Sequence, residues 1–160
     1  MKNGRTSIYN LGIDKCGKQW SVEVNQPVPS DTFFDIYVWP ANYKRNDEAD
    51  PHALSYLSIN SEAVGKIETI EVIYTVDNQG IGSLLLAFIE RFACDYGAIR
   101  LYGDLSRRHK DHFDKLEHFY KKQGWTWEIF EENDLRRQKD SYILGRVEKQ
   151  IQRVQNDNRG

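Results

Sequence analysis

The sequence predicts a single α/β (α+β) domain with a mixed, mostly antiparallel sheet flanked by helices. Three observations predict it. Alternating runs rich in β-branched and aromatic residues fill the chain up to Tyr74. Beyond Gly82 the apolar period changes from two residues to the helical one. From there to Val147, strand-like and helix-like segments alternate, and no linker or internal repeat divides the chain.

Ser21-Val22-Glu23-Val24 alternates as a strand does, and so does Thr32 to Val38 before Pro40 stops it. An acidic, polar loop runs from Asn42 to Pro51. Leu54 to Ile59 is the next strand, Ser61 to Gly65 a turn, and Ile67 to Tyr74 the longest strand. No helical pair is legible before Leu54. Leu84, Leu85, Phe88, Ile89, Phe92, Ala93 and Tyr96 then recur at helical spacing, and Gly97 stands where a helix ends. Ile99 to Gly103 is a short strand. A second helix spans about Lys110 to Gln123, with Phe113, Leu116, Phe119 and Tyr120 on one side and Gly124 at its end. Trp125 to Phe130 and Ser141 to Val147 make a final antiparallel pair joined by a charged loop. The domain covers 1–147, and 148–160 is a polar tail.

Bulk properties bound the function. The 160 residues suffice for one domain with a hydrophobic core. Four Trp, nine Tyr and seven Phe supply large apolar area. A net charge of -2 argues against nucleic-acid binding, which needs a basic face. The N-terminus leads into no apolar signal segment, and no run reaches the ~20 apolar residues that span a bilayer. No membrane partner is expected. Cys16, in a turn, and Cys94, in an apolar helix, form neither a disulfide framework nor a zinc pattern, which suits a cytoplasmic protein.

The segment with chemical content is Asp77-Asn78-Gln79-Gly80-Ile81-Gly82-Ser83, between a strong strand and a strong helix. Glycines allow a sharp turn and close backbone approach to a ligand. The helix start adds unpaired N–H groups and a positive dipole end, which suit a phosphate or pyrophosphate. No Lys-Ser or Lys-Thr follows the glycines, so this is no Walker loop, and the third glycine of a dinucleotide fingerprint is missing.

Val72 to Leu85 resembles the strand, loop and helix with which acetyltransferases of the GNAT superfamily grip acetyl-CoA. Phe119-Tyr120-Lys121-Lys122-Gln123-Gly124-Trp125 resembles that family's Phe-Tyr-x-x-x-Gly-aromatic motif, at the expected distance downstream. The resemblance covers about Leu54 to Val147, so the cofactor half is about 54–147. It implies a GNAT-like sheet in which the strand near Ile99 to Gly103 splays from the Val72 strand and opens a V-shaped slot. It implies acetyl-CoA as cofactor, with backbone contacts from Val72, Ile73 and Tyr74 and a pyrophosphate cradle at Asn78, Gln79, Gly80, Ile81, Gly82 and Ser83. Two departures stand out. Asp77 replaces the usual Arg or Gln, and Phe113 replaces a common Asn.

The implied reaction is N-acetylation of an amine on a small molecule or protein. An alkylammonium, with a pKa of about 10.4, must lose a proton before it attacks, and the leaving thiolate must gain one. Tyr120 matches the family's general-acid tyrosine, and Glu68 on the long strand is the candidate base. Strict alternation puts Glu68 on one face with Ile70 and Val72, opposite Glu71. The N–H of Val72 or Ile73 would polarise the carbonyl. Asp77 and Phe113 also feed an alternative, a non-catalytic GNAT-like domain that binds CoA or a protein. Similar proteins are commonly homodimers. His109, His112 and His118 with Asp114 read as a solvated helix start, and no metal is expected. Arg107 and Arg108 either reach a cofactor phosphate or face water. The acidic residues Asp47, Glu48 and Asp50, if they border the acceptor site, favour a cationic amine.

Overall fold

The computed structural model describes residues 4–42, 50–72 and 80–151. Eight strands form one sheet: β1 (Arg5–Ile13), β2 (Gln19–Gln26), β3 (Phe33–Pro40), β4 (Ala53–Ile59), β5 (Val64–Val72), β6 (Arg100–Ser106), β7 (Thr126–Ile129) and β8 (Ile143–Gln150). Their spatial order is β1-β2-β3-β4-β5-β6-β8-β7. Every neighbouring pair is antiparallel except β5 with β6. That parallel pair needs a crossover, and helix α1 (Ile81–Asp95) supplies it. The expected mixed, mostly antiparallel sheet is therefore present, and among the described residues no helix precedes α1.

Strands β1 to β4 form a meander whose alternate side chains build one core face. Trp20, Val22 and Val24 of β2, Phe34, Ile36 and Val38 of β3, and Ala53 and Leu57 of β4 are all buried. Against them α1 lays Ile81, Leu85, Leu86, Phe88, Ile89, Phe92 and Ala93. This 3.6-residue stripe makes the segment helical, because only a helix turns all seven inward. Each of the six larger side chains contributes roughly 1.5–3 kcal/mol on burial, and Ala93 less. Phe92 meets Phe34 edge-on at 4.9 Å, and Tyr9 of β1 meets Phe88 at 5.4 Å. The helix stops at Gly97, whose φ of 93° suits glycine and whose N–H donates to the Cys94 carbonyl.

Several boundaries differ from expectation. β1 is absent from the sequence reading because its first six residues are exposed at a sheet edge and give little apolar alternation. β5 starts at Val64, inside the expected turn. The second helix starts later than Lys110: a 3-10 turn (Arg107–His112) precedes α2 (Phe113–Lys122). A short helix, α3 (Leu135–Lys139), lies in the charged loop. β8 continues through Gln150, and Ile151 is buried with its N–H donating to the Ile99 carbonyl at 3.0 Å. The first residues assigned to the polar tail thus belong to the sheet, held by pairing to β6. Among the described residues no helix is long and apolar enough to cross a membrane.

Candidate functional site

The parallel pairing of β5 with β6 ends early. Val64 pairs with Arg100, Gly65 with Leu101 and Lys66 with Tyr102, and there it stops. Beyond this point the strands separate, as the expected V-shaped slot requires. A cavity of about 80 Å³ opens there, with Glu68 and Thr69 of β5, Gly103 of β6, His109, and Leu116 and Tyr120 of α2 in its lining. Leu116 and Tyr120 reach it together because they lie four residues apart on one helix face. Gly103 lies close to both walls: a Cβ there would stand 3.4 Å from the Ile67 carbonyl oxygen and from Val147, at the edge of ordinary contact.

Tyr120 and Glu68, far apart in sequence, thus line one slot. Tyr120 packs edge-on against Phe119 at 5.2 Å and Trp125 at 5.5 Å. Burial pushes its hydroxyl up to about 12, so it stays protonated at neutral pH. Trp125 also donates its backbone N–H to the Tyr120 carbonyl, which ties the helix end to the following strand. Tyr120 is both a core-packed side chain and a slot-facing one.

Glu68 is placed differently from the alternation rule. Tyr56 pairs with Thr69 and Leu57 with Ile67, so Glu68 is the extra residue of a β-bulge. Ile67 and Ile70, three residues apart, consequently share the face of Leu57 and Ser55. A bulge re-aims side chains and ends regular pairing, which period-two counting misses. The Glu68 carboxylate lies 3.4 Å from Lys66 Nζ, and Asp104 lies 3.4 Å from the same ammonium. Burial opposes the Lys66 charge, yet these two carboxylates hold its ammonium above the usual range. Arg146 reaches the other Asp104 oxygen at 3.4 Å.

His109 corrects the reading of a uniformly solvated helix start. His112 and His118 are exposed, whereas His109 is half-buried in the slot lining, and its Nδ1 lies 3.1 Å from the hydroxyl oxygen of buried Ser106. No local pattern points to it, because a 3-10 turn ahead of α2 carries the residue. Arg107 is exposed and its Nε donates to the Ser141 carbonyl at 2.9 Å, bracing the chain before β8. Phe113, at the position of the absent Asn, packs edge-on against Trp127 at 5.5 Å.

The phosphate-loop residues divide. Ile73, Tyr74, Asp77, Asn78 and Gln79 lie outside the described residues, as do Asp47 and Glu48. Val72 closes the described part of β5 and pairs with Ala53. Gly80 precedes α1 with φ 88°, a left-handed conformation that favours glycine. The first turn of α1 carries no acidic residue, and Gly80 offers no side-chain cap. The start of α1 thus presents backbone N–H groups and its positive dipole end. The Ile81 side chain is buried in the core, so only its backbone can face a ligand. Ser83 accepts a hydrogen bond from Gln123 Nε2 at 2.9 Å, joining the start of α1 to the end of α2.

A larger, open cavity of about 580 Å³ lies at this junction. Gly80, Ser83, Lys122 and Gln123 border it together with Lys15 from the turn between β1 and β2. The site therefore has two compartments along α2. A narrow slot holds Tyr120, and a wide basic cavity adjoins the glycine at the start of α1.

No family model matches the sequence, and no curated relative matches it. Solved structures do match. An acetyltransferase of the GNAT family from Staphylococcus aureus superposes with a TM-score of 0.57 at 12% identity, over 76% of this chain and 70% of that one. Nourseothricin acetyltransferase gives 0.57 at 15% identity, over 93% of this chain and 98% of that one. An acetyltransferase from Bacillus subtilis, solved in complex with CoA, gives 0.55 at 14% identity over 74% and 77%. With the splayed parallel pair, the glycine-led helix and the single crossover already in place, the chain has the fold of the GNAT acetyltransferases.

Proposed function

We propose that this protein binds acetyl-CoA and transfers its acetyl group directly to an amine. One observation carries the reading: the β5–β6 pairing stops after Lys66, and the Tyr120 side chain lines the slot that opens there. The residues fit such a cofactor. The β5 backbone beyond Lys66 has no β6 partner and is open to an amide-bearing arm. The glycine-led start of α1 suits a pyrophosphate.

Acetyl-CoA supplies an activated thioester. The chain orients it, and the acceptor amine attacks without a covalent enzyme adduct. Tyr120 donates a hydrogen bond to the departing sulfur. Its raised pKa makes it a weak acid toward a thiol with an ordinary value of about 8.5, so stabilising the thiolate is its main contribution. Glu68 accepts the ammonium proton, with Lys66 beside the carboxylate, and the second proton that nitrogen sheds as the amide forms ends on the departing thiolate, which leaves as the CoA thiol. Burial of Tyr120 strengthens its interaction with the sulfur, whereas Glu68 is exposed and can pass its proton on to water.

Calorimetric titration with acetyl-CoA tests this reading, followed by an amine screen. We expect saturable binding, loss of that binding when Gly80 carries a bulky side chain, and turnover that depends on Tyr120. A folded protein that ignores millimolar acetyl-CoA sinks it.

A further inference from the structure

The cavity beside α1 contains charges that the acetyl-transfer slot does not use. Five charged side chains border it: Lys15, Lys122, Lys149, Asp14 and Glu90. Three are committed to each other or to the backbone. Lys149 Nζ lies 2.5 Å from Glu90 and donates to the Gln123 carbonyl at 2.8 Å. Asp14 accepts from the Cys16 and Lys18 backbone N–H groups at 2.8 and 2.9 Å, and from Trp20 Nε1 at 2.9 Å. Lys15 and Lys122 remain, both exposed, and neither forms an ion pair among the described residues. Two uncommitted ammonium groups from distant parts of the sequence therefore border one cavity.

Lys15 is delivered there by a braced turn. Trp20 is fully buried, so its bond to Asp14 anchors the β1–β2 turn to the core. On the other side of Lys15, β1 lies against the first turn of α1, where a Cβ on Gly12 would come within 3.2 Å of Leu84. The Lys15 stem covers Gly80: a Cβ there would meet its Cγ at 3.3 Å. A cation held over a glycine, with no carboxylate of its own, is arranged for an anion.

We propose that Lys15, assisted by Lys122, binds the phosphates of CoA in this cavity, so that the β1–β2 hairpin belongs to the cofactor site. This rests on the acetyl-CoA reading above. It adds a binding element from the N-terminal edge of the sheet, outside the strand-loop-helix that carries the sequence motif. The volume of about 580 Å³ lies within the range of small-molecule sites.

The test is calorimetric titration of wild-type protein, Lys15→Gln, Lys122→Gln and Lys18→Gln with CoA and with dephospho-CoA, at low and high salt. Lys18 belongs to the same turn but lies over the Trp20 ring at 4.8 Å and does not border the cavity, so it controls for general loss of charge. We expect Lys15→Gln to weaken CoA roughly five- to tenfold and to flatten the salt dependence, Lys122→Gln to do so less, and Lys18→Gln to do neither. Loss for CoA alone assigns Lys15 to the 3′-phosphate, and equal loss for both ligands assigns it to the pyrophosphate. Unchanged affinity in Lys15→Gln, or an equal loss in Lys18→Gln, overturns the proposal and leaves the acetyl-CoA reading standing. A wild-type protein that binds neither ligand overturns both.

Discussion

The two compartments along α2 differ in almost every physical respect. The slot at Tyr120 is narrow and lined by Ile67, Leu116 and Val147 beside Glu68 and Asp104, and burial drives its tyrosine toward the neutral form. The cavity at Gly80 is about seven times larger by the two volumes, 580 against 80 Å³, and is bordered by exposed lysines. One helix serves both, with Leu116 and Tyr120 facing the slot and Lys122 and Gln123 facing the cavity. On the proposed function the difference separates two tasks. Charge that must be bound needs accessible cations and tolerates water. A proton or a developing thiolate needs a dry site with few, fixed donors.

The largest expected effect tests the slot. Tyr120→Phe removes one hydroxyl and keeps the ring contacts with Phe119 and Trp125. Turnover should fall about 100-fold, the effect expected on removing one fixed hydrogen-bond donor to charge that develops in the transition state. Acetyl-CoA affinity measured by calorimetry should stay within about twofold. A variant that loses affinity instead would erase the division between binding and reacting compartments.

The next effect separates the two sides of α1. Leu85→Ala, on the buried side, should cost about 2–5 kcal/mol in urea unfolding, because a fully buried leucine leaves a cavity in the core. A cost under about 1 kcal/mol would mean that α1 is loosely docked and cannot hold Gly80 in register with Lys15.

Alkali should reveal the dryness of the slot. A tyrosine titrates near 10 when unfolded and here at about 12. Between those values the unfolded state has released the proton and the native state has not, so stability falls as pH rises. The contribution is fully present below pH 10 and is lost as the pH approaches 12. It amounts to roughly 2–3 kcal/mol in total. Other groups also titrate there, so the measurement is the difference between wild type and Tyr120→Phe in urea midpoints across this window. Parallel curves would mean that the hydroxyl is in contact with water.

How much of this was legible varies with distance along the chain. The β5-to-α1 unit and the Phe119-to-Trp125 stretch were legible because period, glycine placement and ring spacing all act within a few residues. Strand β1 was not, because an exposed edge strand has no need of apolar alternation. The bulge at Glu68 was invisible, since only its partner strand reveals the extra residue. Lys15 and His109 reach the two cavities through tertiary placement: a hairpin that reaches the start of α1, and a 3-10 turn before α2. Neither leaves a local pattern.

The smallest effect concerns the joint between the compartments. Ser83 and Gln123 are held by one hydrogen bond of 2.9 Å that is part-buried and links residues 40 apart in sequence. Removing it through Ser83→Ala costs about 1 kcal/mol if Gln123 finds no other partner, and less if water replaces the hydroxyl. The alanine also improves the helix propensity of the first turn, which offsets part of that loss. Global stability should therefore change by under about 1 kcal/mol. If the joint coordinates the compartments, the more sensitive readout is coupling. In wild type, Lys15→Gln should weaken CoA without changing turnover at saturation. In the Ser83→Ala background the same substitution should begin to lower turnover as well, because α2 is no longer tied to α1, where the phosphates are proposed to bind. Additive behaviour in the double mutant would show that the packing of α2 against β7 alone keeps Tyr120 in place, independently of the cavity.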